Sequence, residues 1–208
     1  MLDAVAGRVG PDSRRVAVDG VDGAGKATFA EELATVLRAR GRPVVRVSAD
    51  GFHHPRAVRY RRGRDSPEGF WLDSYDLDRL RSDLLDPFAP GGSGRYRAAV
   101  HDVDTDEGLD LPWLIAPDRA VLVVDGLFLH RDELVGTWDV SVFLDVPFAV
   151  SVPRGAARDG GNPDAAHPAN ARWVGGNQLY LVACAPWDRA GVVVDNTDLE
   201  HPRITALR

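Results

Sequence analysis

The residues best suited to chemistry begin at Gly20. Gly20-Val-Asp22-Gly23-Ala24-Gly25-Lys26 has the spacing G-x-x-x-x-G-K. An apolar run, Arg15–Asp19, precedes it, and Ala27–Arg40 follows with apolar residues at helical spacing (Phe29, Leu33, Val36, Leu37). A glycine-rich turn between a strand and a helix lets backbone N–H groups curl around phosphate oxygens. The helix N-terminus adds favourable dipole charge. Lys26 would then reach the outer phosphates. Of the 25 basic residues Lys26 is the only lysine, and a compact ammonium suits a tight phosphate loop better than a guanidinium does. The spacing calls next for Ser or Thr, whose hydroxyl would ligate Mg²⁺. Here Ala27 stands there, followed by Thr28. A helix turns about 100° per residue, so Thr28 cannot take over the missing place.

Further carboxylates follow strand-like runs. Val44–Ala49 stops at Asp50, Val121–Val124 at Asp125, Val140–Leu144 at Asp145 and Val192–Val194 at Asp195. Helical or loop segments separate these runs; Tyr75–Leu85, with Leu77, Leu80, Leu84 and Leu85 on one face, is a helix candidate. Alternating buried strands and helices predict an α/β chain with a parallel sheet covered by helices. Ligands bind such sheets beyond the C-terminal strand ends, where Asp19, Asp50 and Asp125 would gather. His53–Gly69, rich in Arg and Gly, and Gly155–Pro168, rich in Gly, Ala and Pro, read as mobile flaps.

Composition narrows the class. The 208 residues suit one domain, residues 1–208, with flap segments near 53–69 and 154–168. A net charge of −6 argues against a general nucleic-acid binder. No apolar run is long enough to span a bilayer, and Met1–Gly10 does not read as a secretory signal. The single cysteine, Cys184, permits no intrachain disulfide and fits a cytoplasmic setting.

Taken in order, several segments together resemble the uridine kinase-like P-loop kinases, relatives of pantothenate kinase and phosphoribulokinase. They are Val18–Lys26, Asp50-Gly-Phe-His-His-Pro55, Trp71-Leu-Asp-Ser-Tyr-Asp76, Val124-Asp-Gly-Leu-Phe-Leu129, Arg154-Gly-Ala-Ala-Arg-Asp159, Arg172-Trp-Val, Leu179-Tyr180 and Asp195-Asn-Thr-Asp198. The resemblance runs from Arg15 to about Ile204. It implies a P-loop NTPase three-layer sandwich: a five-stranded parallel sheet with helices on both faces. It also implies ATP and Mg²⁺ as cofactors and transfer of a phosphoryl group to a small hydroxylated acceptor, with a nucleoside favoured. A homodimer is left open.

The resemblance also distributes roles. Lys26 and the loop residues Gly20, Asp22, Gly23, Ala24, Gly25, Ala27 and Thr28 would hold ATP, with Asn196 bordering the adenine. Asp50 matches the general base, a carboxylate able to take the proton of the acceptor hydroxyl. Asp125 sits at the Walker B-like position; with Ala27 unable to ligate, Asp50 and Asp125 become the metal candidates. Arg154, Arg158 and Arg172 resemble lid arginines, which neutralise charge on the transferring group. Asp50, Phe52, Asp73, His101 and Arg172 would face the acceptor, Asp73 matching the carboxylate that holds sugar hydroxyls; an equally good reading makes Asp73 a helix N-terminal acid. The pyrimidine-reading Tyr and His of uridine kinases have no direct counterpart in Ala99–Asp106, where His101 stands near the Tyr position. Uridine is therefore one acceptor among other nucleosides, pantothenate-like molecules and sugars. A nucleotide-binding module with weak or no catalysis, marked by Ala27, is the rival reading.

Overall fold

The computed structural model describes all 208 residues, Met1–Arg208. Six strands form the main sheet: β1 (Arg15–Gly20), β2 (Val44–Ser48), β3 (Val121–Gly126), β4 (Val140–Asp145), β5 (Val192–Asp195) and β6 (Arg203–Leu207). Their order is β6-β5-β4-β1-β3-β2, and β1 to β5 run parallel. The expectation of five strands is corrected by β6, which adds to β5 antiparallel. Its sequence, Arg-Ile-Thr-Ala-Leu, is half-buried at alternate positions, as an edge strand with no buried run would be.

The central strands are apolar on both faces, so both faces need cover. Along β1, Val16 and Val18 point into one core and Ala17 into the other; along β3, Val121 and Val123 oppose Leu122 and Val124. The first core is closed by α1 (Leu2–Ala6) and α2 (Lys26–Ala39), which supplies Phe29, Leu33 and Leu37. The second is closed by α3 (Pro67–Asp73) and α5 (Ala171–Cys184), with Phe70, Tyr180 and Cys184. Between them in sequence, α4 (Phe148–Asp159) packs Phe148 and Val150 against the first core. Each buried Val, Leu or Phe contributes roughly 1.5–3 kcal/mol, so this two-sided core is what fixes the strand ends in space.

The Tyr75–Leu85 segment is helical but irregular. Asp76 caps a short helix at Leu77–Leu80, accepting from the Arg79 N–H at 3.0 Å, and Arg81–Leu85 continues with π-type winding. Leu80, Leu84 and Leu85 are fully buried, so the apolar spacing still reports the packed face. No helix is long and apolar enough to cross a membrane.

Candidate active site

The strand ends Gly20, Ser48, Gly126, Asp145 and Asp195 lie along one edge of the sheet. There the loop after β1 turns into α2, which starts at Lys26. Two glycines are required by that turn. Gly23 has φ +73°, and a Cβ on it would lie 2.0 Å from the Ser151 carbonyl oxygen on α4. Gly25 has φ +91°, and its Cβ would lie 2.9 Å from Asn196 Nδ2. Only glycine accepts both the left-handed φ and the close approach.

Side chains hold the loop in shape. Asn196 Nδ2 donates to the Ala24 carbonyl at 2.7 Å, Lys26 Nζ to the Val21 carbonyl at 2.9 Å, and Asn177 Nδ2 to the Asp22 carboxylate at 2.9 Å. Asp19 sits beneath, fully buried. It accepts from the Gly20 N–H (2.7 Å), the His130 N–H (3.1 Å), His130 Nδ1 (2.8 Å) and the Tyr180 hydroxyl. Asp19 thus reaches the edge as scaffold: its oxygens are spent joining β1 to the segment after β3 and to α5.

Asp50 lies one turn beyond β2, on a 3₁₀ segment (Ala49–Phe52) where Ser48 Oγ accepts from the Asp50 N–H. Its carboxylate is exposed and accepts a 2.8 Å hydrogen bond from the Tyr75 hydroxyl. Burial, then the Asp50 charge, push the Tyr75 phenol well above its ordinary pKa, so it remains a proton donor. The Tyr75 oxygen in turn accepts from the Leu127 N–H at 3.3 Å. Phe128 next to it is buried with φ +63°, a conformation bulky residues rarely adopt. The His53 ring packs on Tyr75 at 4.6 Å and Nδ1 donates to the Asp50 carbonyl at 2.8 Å. Burial lowers the His53 pKa, leaving it neutral at pH 7.

These groups line a cleft of about 300 Å³. Asp22, Gly23, Gly25, Lys26, Ala27, Thr28, Asp50, Asp125 and Arg158 all face it, from four separate stretches of sequence. His53, Arg59, Phe70, Val103, Leu127 and Trp173 complete the wall; of these, His53 is the one whose sequence context suggests polar lining of an acceptor pocket or a flap surface. A second cavity of about 360 Å³ between α4 and α5 shares Asp22, Arg158 and Trp173 with it. Arg158 is exposed and forked onto Asp159 at 2.7 and 2.6 Å.

The remaining expected site residues stand elsewhere. Gly20 and Ala24 form the loop without lining the cleft, and Asn196 braces it from behind. Arg154 donates to the Asn196 carbonyl at 3.0 Å and to the Thr197 carbonyl, tying α4 to the loop after β5. Phe52 is fully buried in the core. Asp73 is buried and paired with Arg61 and, at 2.9 Å, Arg62. His101 is buried on a two-strand ribbon (His101–Asp102 with Glu107–Gly108), 3.3 Å from Asp106 Oδ1. Arg172 is buried too, donating to the carbonyls of Ser66 (2.9 Å) and Arg59 (3.0 Å).

The groups present fit nucleotide phosphates: a glycine cradle, helix-start N–H groups and one lysine. Protein ligands for Mg²⁺ beside the loop are few: Ala27 offers no hydroxyl, and Asp125 Oδ1 lies 2.6 Å from Arg46 Nη1, which leaves the exposed Asp50 carboxylate as the expected metal candidate facing the cleft.

No family model matches the chain. Solved structures do. A protein described as a possible uridine kinase from Bacillus stearothermophilus superposes with TM-score 0.71 at 22% identity, over 92% of this chain and 96% of that one. The chain has the fold of the uridine kinase-like P-loop kinases. Two further structures share this P-loop kinase fold. One, described as a putative fructose transport system kinase from Silicibacter sp. TM1040, matches at TM-score 0.71 and 24% identity, over 88% and 95% of the two chains. The other, D-glycerate 3-kinase from Cryptococcus neoformans, matches at TM-score 0.61 and 12% identity, over 98% and 99%.

Proposed function

We propose that the protein is an ATP-dependent kinase that phosphorylates a hydroxyl of a small metabolite. The observation that carries this reading is the convergence of Lys26, the loop glycines, Asp50 and Arg158 on one cleft. The loop N–H groups and Lys26 hold the phosphates of ATP. The acceptor hydroxyl lies against Asp50, which takes its proton as the oxygen attacks the terminal phosphorus; the bond to the leaving ADP oxygen breaks in line. Tyr75 aims the Asp50 carboxylate. Arg158, near the end of α4, neutralises charge on the transferring group, and the segment 53–69, with the part of the 154–168 segment that follows α4, closes over the cleft. Mg²⁺, the expected cation of such kinases, finds few protein ligands here. Phosphate charge therefore falls chiefly to Lys26, the loop amides and arginine.

A nucleoside is the favoured acceptor. Trp173, with Phe70 behind it, lines the cleft, and aromatic side chains suit a planar base. The names of the structural relatives, a possible uridine kinase, a fructose transport system kinase and a glycerate kinase, keep sugars and hydroxy acids in the panel. The test is ADP release with ATP and Mg²⁺ across nucleosides, pantothenate, sugars and glycerate, with Lys26→Ala as blank. One acceptor whose rate vanishes in the blank establishes the reading.

Ala27 supports a second reading, a nucleotide-binding module without turnover. ATP binding with no turnover of any acceptor, unchanged in Ala27→Thr, would favour it. A gain of turnover in Ala27→Thr favours a handicapped kinase.

A further inference from the structure

Arg46 lies in the middle of β2, an edge strand of the sheet, at a half-buried position. Register sets where its side chain goes. β2 pairs with β3 so that Ser48 stands beside Asp125 and Arg46 beside Val123. The Arg46 side chain therefore runs up along the strand toward the phosphate loop. Its Nη1 lies 2.6 Å from Asp125 Oδ1 and donates to the Val47 carbonyl at 2.9 Å. Its Nη2 donates to the Ala27 carbonyl at 3.3 Å. The side chain is 15% exposed and that of Asp125 7%. A guanidinium thus bridges the residue where the loop lacks its hydroxyl and the carboxylate at the Walker B-like position.

A buried carboxylate beside bound phosphates would repel them unless neutralised. In this chain the neutralising charge is covalently part of the protein. A metal ion would have to displace Arg46 from Asp125 and would still find no hydroxyl at Ala27. We propose that Arg46 substitutes for a protein-held metal: its guanidinium supplies the positive charge at Asp125, so nucleotide binding does not depend on a divalent cation ligated by protein. This rests on the kinase reading for the identity of the ligand, but not for the placement of the charge.

The test is calorimetric titration of the full chain with ATP, once in Mg²⁺ and once in EDTA. In the wild type the two dissociation constants should agree within about threefold, because the charge beside Asp125 is already present. Arg46→Met removes that charge and leaves Asp125 bare. Its affinity in EDTA should fall by about tenfold or more, and Mg²⁺ should recover most of the loss. Arg46→Lys keeps a cation and should restore the wild-type ratio. A wild-type ratio of about tenfold or more overturns the proposal on its own, even if the Met variant does not fold. So does a Met variant whose ratio matches the wild type. Absence of any ATP heat from the wild type in either buffer instead sinks the kinase reading, and this inference with it.

Discussion

Replacing Arg172 by Met should unfasten the segment between Arg59 and Ser66 without unfolding the protein. Arg172 projects from α5 and is 6% exposed. It spans the flap, with its guanidinium on the Ser66 and Arg59 carbonyls at 2.9 and 3.0 Å and over the Tyr60 ring at 4.9 Å. Burial pulls its pKa below the ordinary guanidinium value, yet it stays charged at neutral pH. Hydrogen bonds from a charged donor contribute about 1.5–3 kcal/mol each. The two here share one donor group, and both carbonyls regain water when the flap opens, so their joint loss is about 2–3 kcal/mol of flap closure. Methionine keeps the apolar stem and removes the fork. Each 1.4 kcal/mol is tenfold, so the open population should rise roughly 30- to 150-fold. The flap carries Arg59, Arg61, Arg62 and Arg64, all trypsin sites. Cleavage there, followed by mass spectrometry, tracks the open population when reclosing outpaces the protease. An increase under about threefold would refute the strap role. Cleavage spread evenly over the chain would show global unfolding instead.

Asp50→Asn should abolish phosphoryl transfer, a loss of at least about 100-fold in turnover for a general base, while ATP affinity by calorimetry stays near the wild-type value; equal loss of both would remove Asp50 from the base role. Gly23→Ala places a methyl 2.0 Å from the Ser151 oxygen at a left-handed φ, and should weaken ATP binding and lower the denaturation midpoint together, since the loop cannot keep its shape. For Asp73, burial raises its pKa but Arg61 and Arg62 more than reverse this, so the folded value is depressed. The stabilisation is therefore present above the unfolded carboxylate value of about 3.9 and is lost as pH falls through the folded value. The urea-midpoint gap between wild type and Asp73→Asn should be flat from neutral pH down to about 5 and should narrow below about 4; a gap that widens on acidification contradicts the pairing.

The strands were legible because β1 and β3 to β5 are apolar runs, interrupted only by Ser141 in β4, that stop at an acid, a pattern local in sequence. The phosphate loop was legible for the same reason: strand, glycines, lysine and helix are contiguous. β6 was not, since its half-exposed alternation next to Pro202 has no buried run to mark it. Nor was the environment of the acids. Whether Asp125 is free or paired depends on the register of β2 against β3, which brings Arg46 to it across 79 positions of sequence. Asp19 finds its partners 111 and 161 residues away, at His130 and Tyr180. Asp73 shows the same limit: expected to start a helix, it instead ends α3, where an acid gains nothing from the helix dipole, and its capture by Arg61 and Arg62 was not readable.

Lys26, bonded to the carbonyl of its own loop at 2.9 Å, has one further consequence. Every other basic side chain apart from the histidines is a guanidinium, and guanidinium groups do not react with mild acylating or isothiocyanate reagents. The chain therefore offers amine chemistry a single side-chain target, inside the cleft. A fluorophore or acyl group coupled there would report occupancy of the phosphate loop directly, and its exclusion by a bound ligand could be read by mass spectrometry. The same singularity makes any lysine-directed modification of this protein a switch on one atom, Nζ of Lys26.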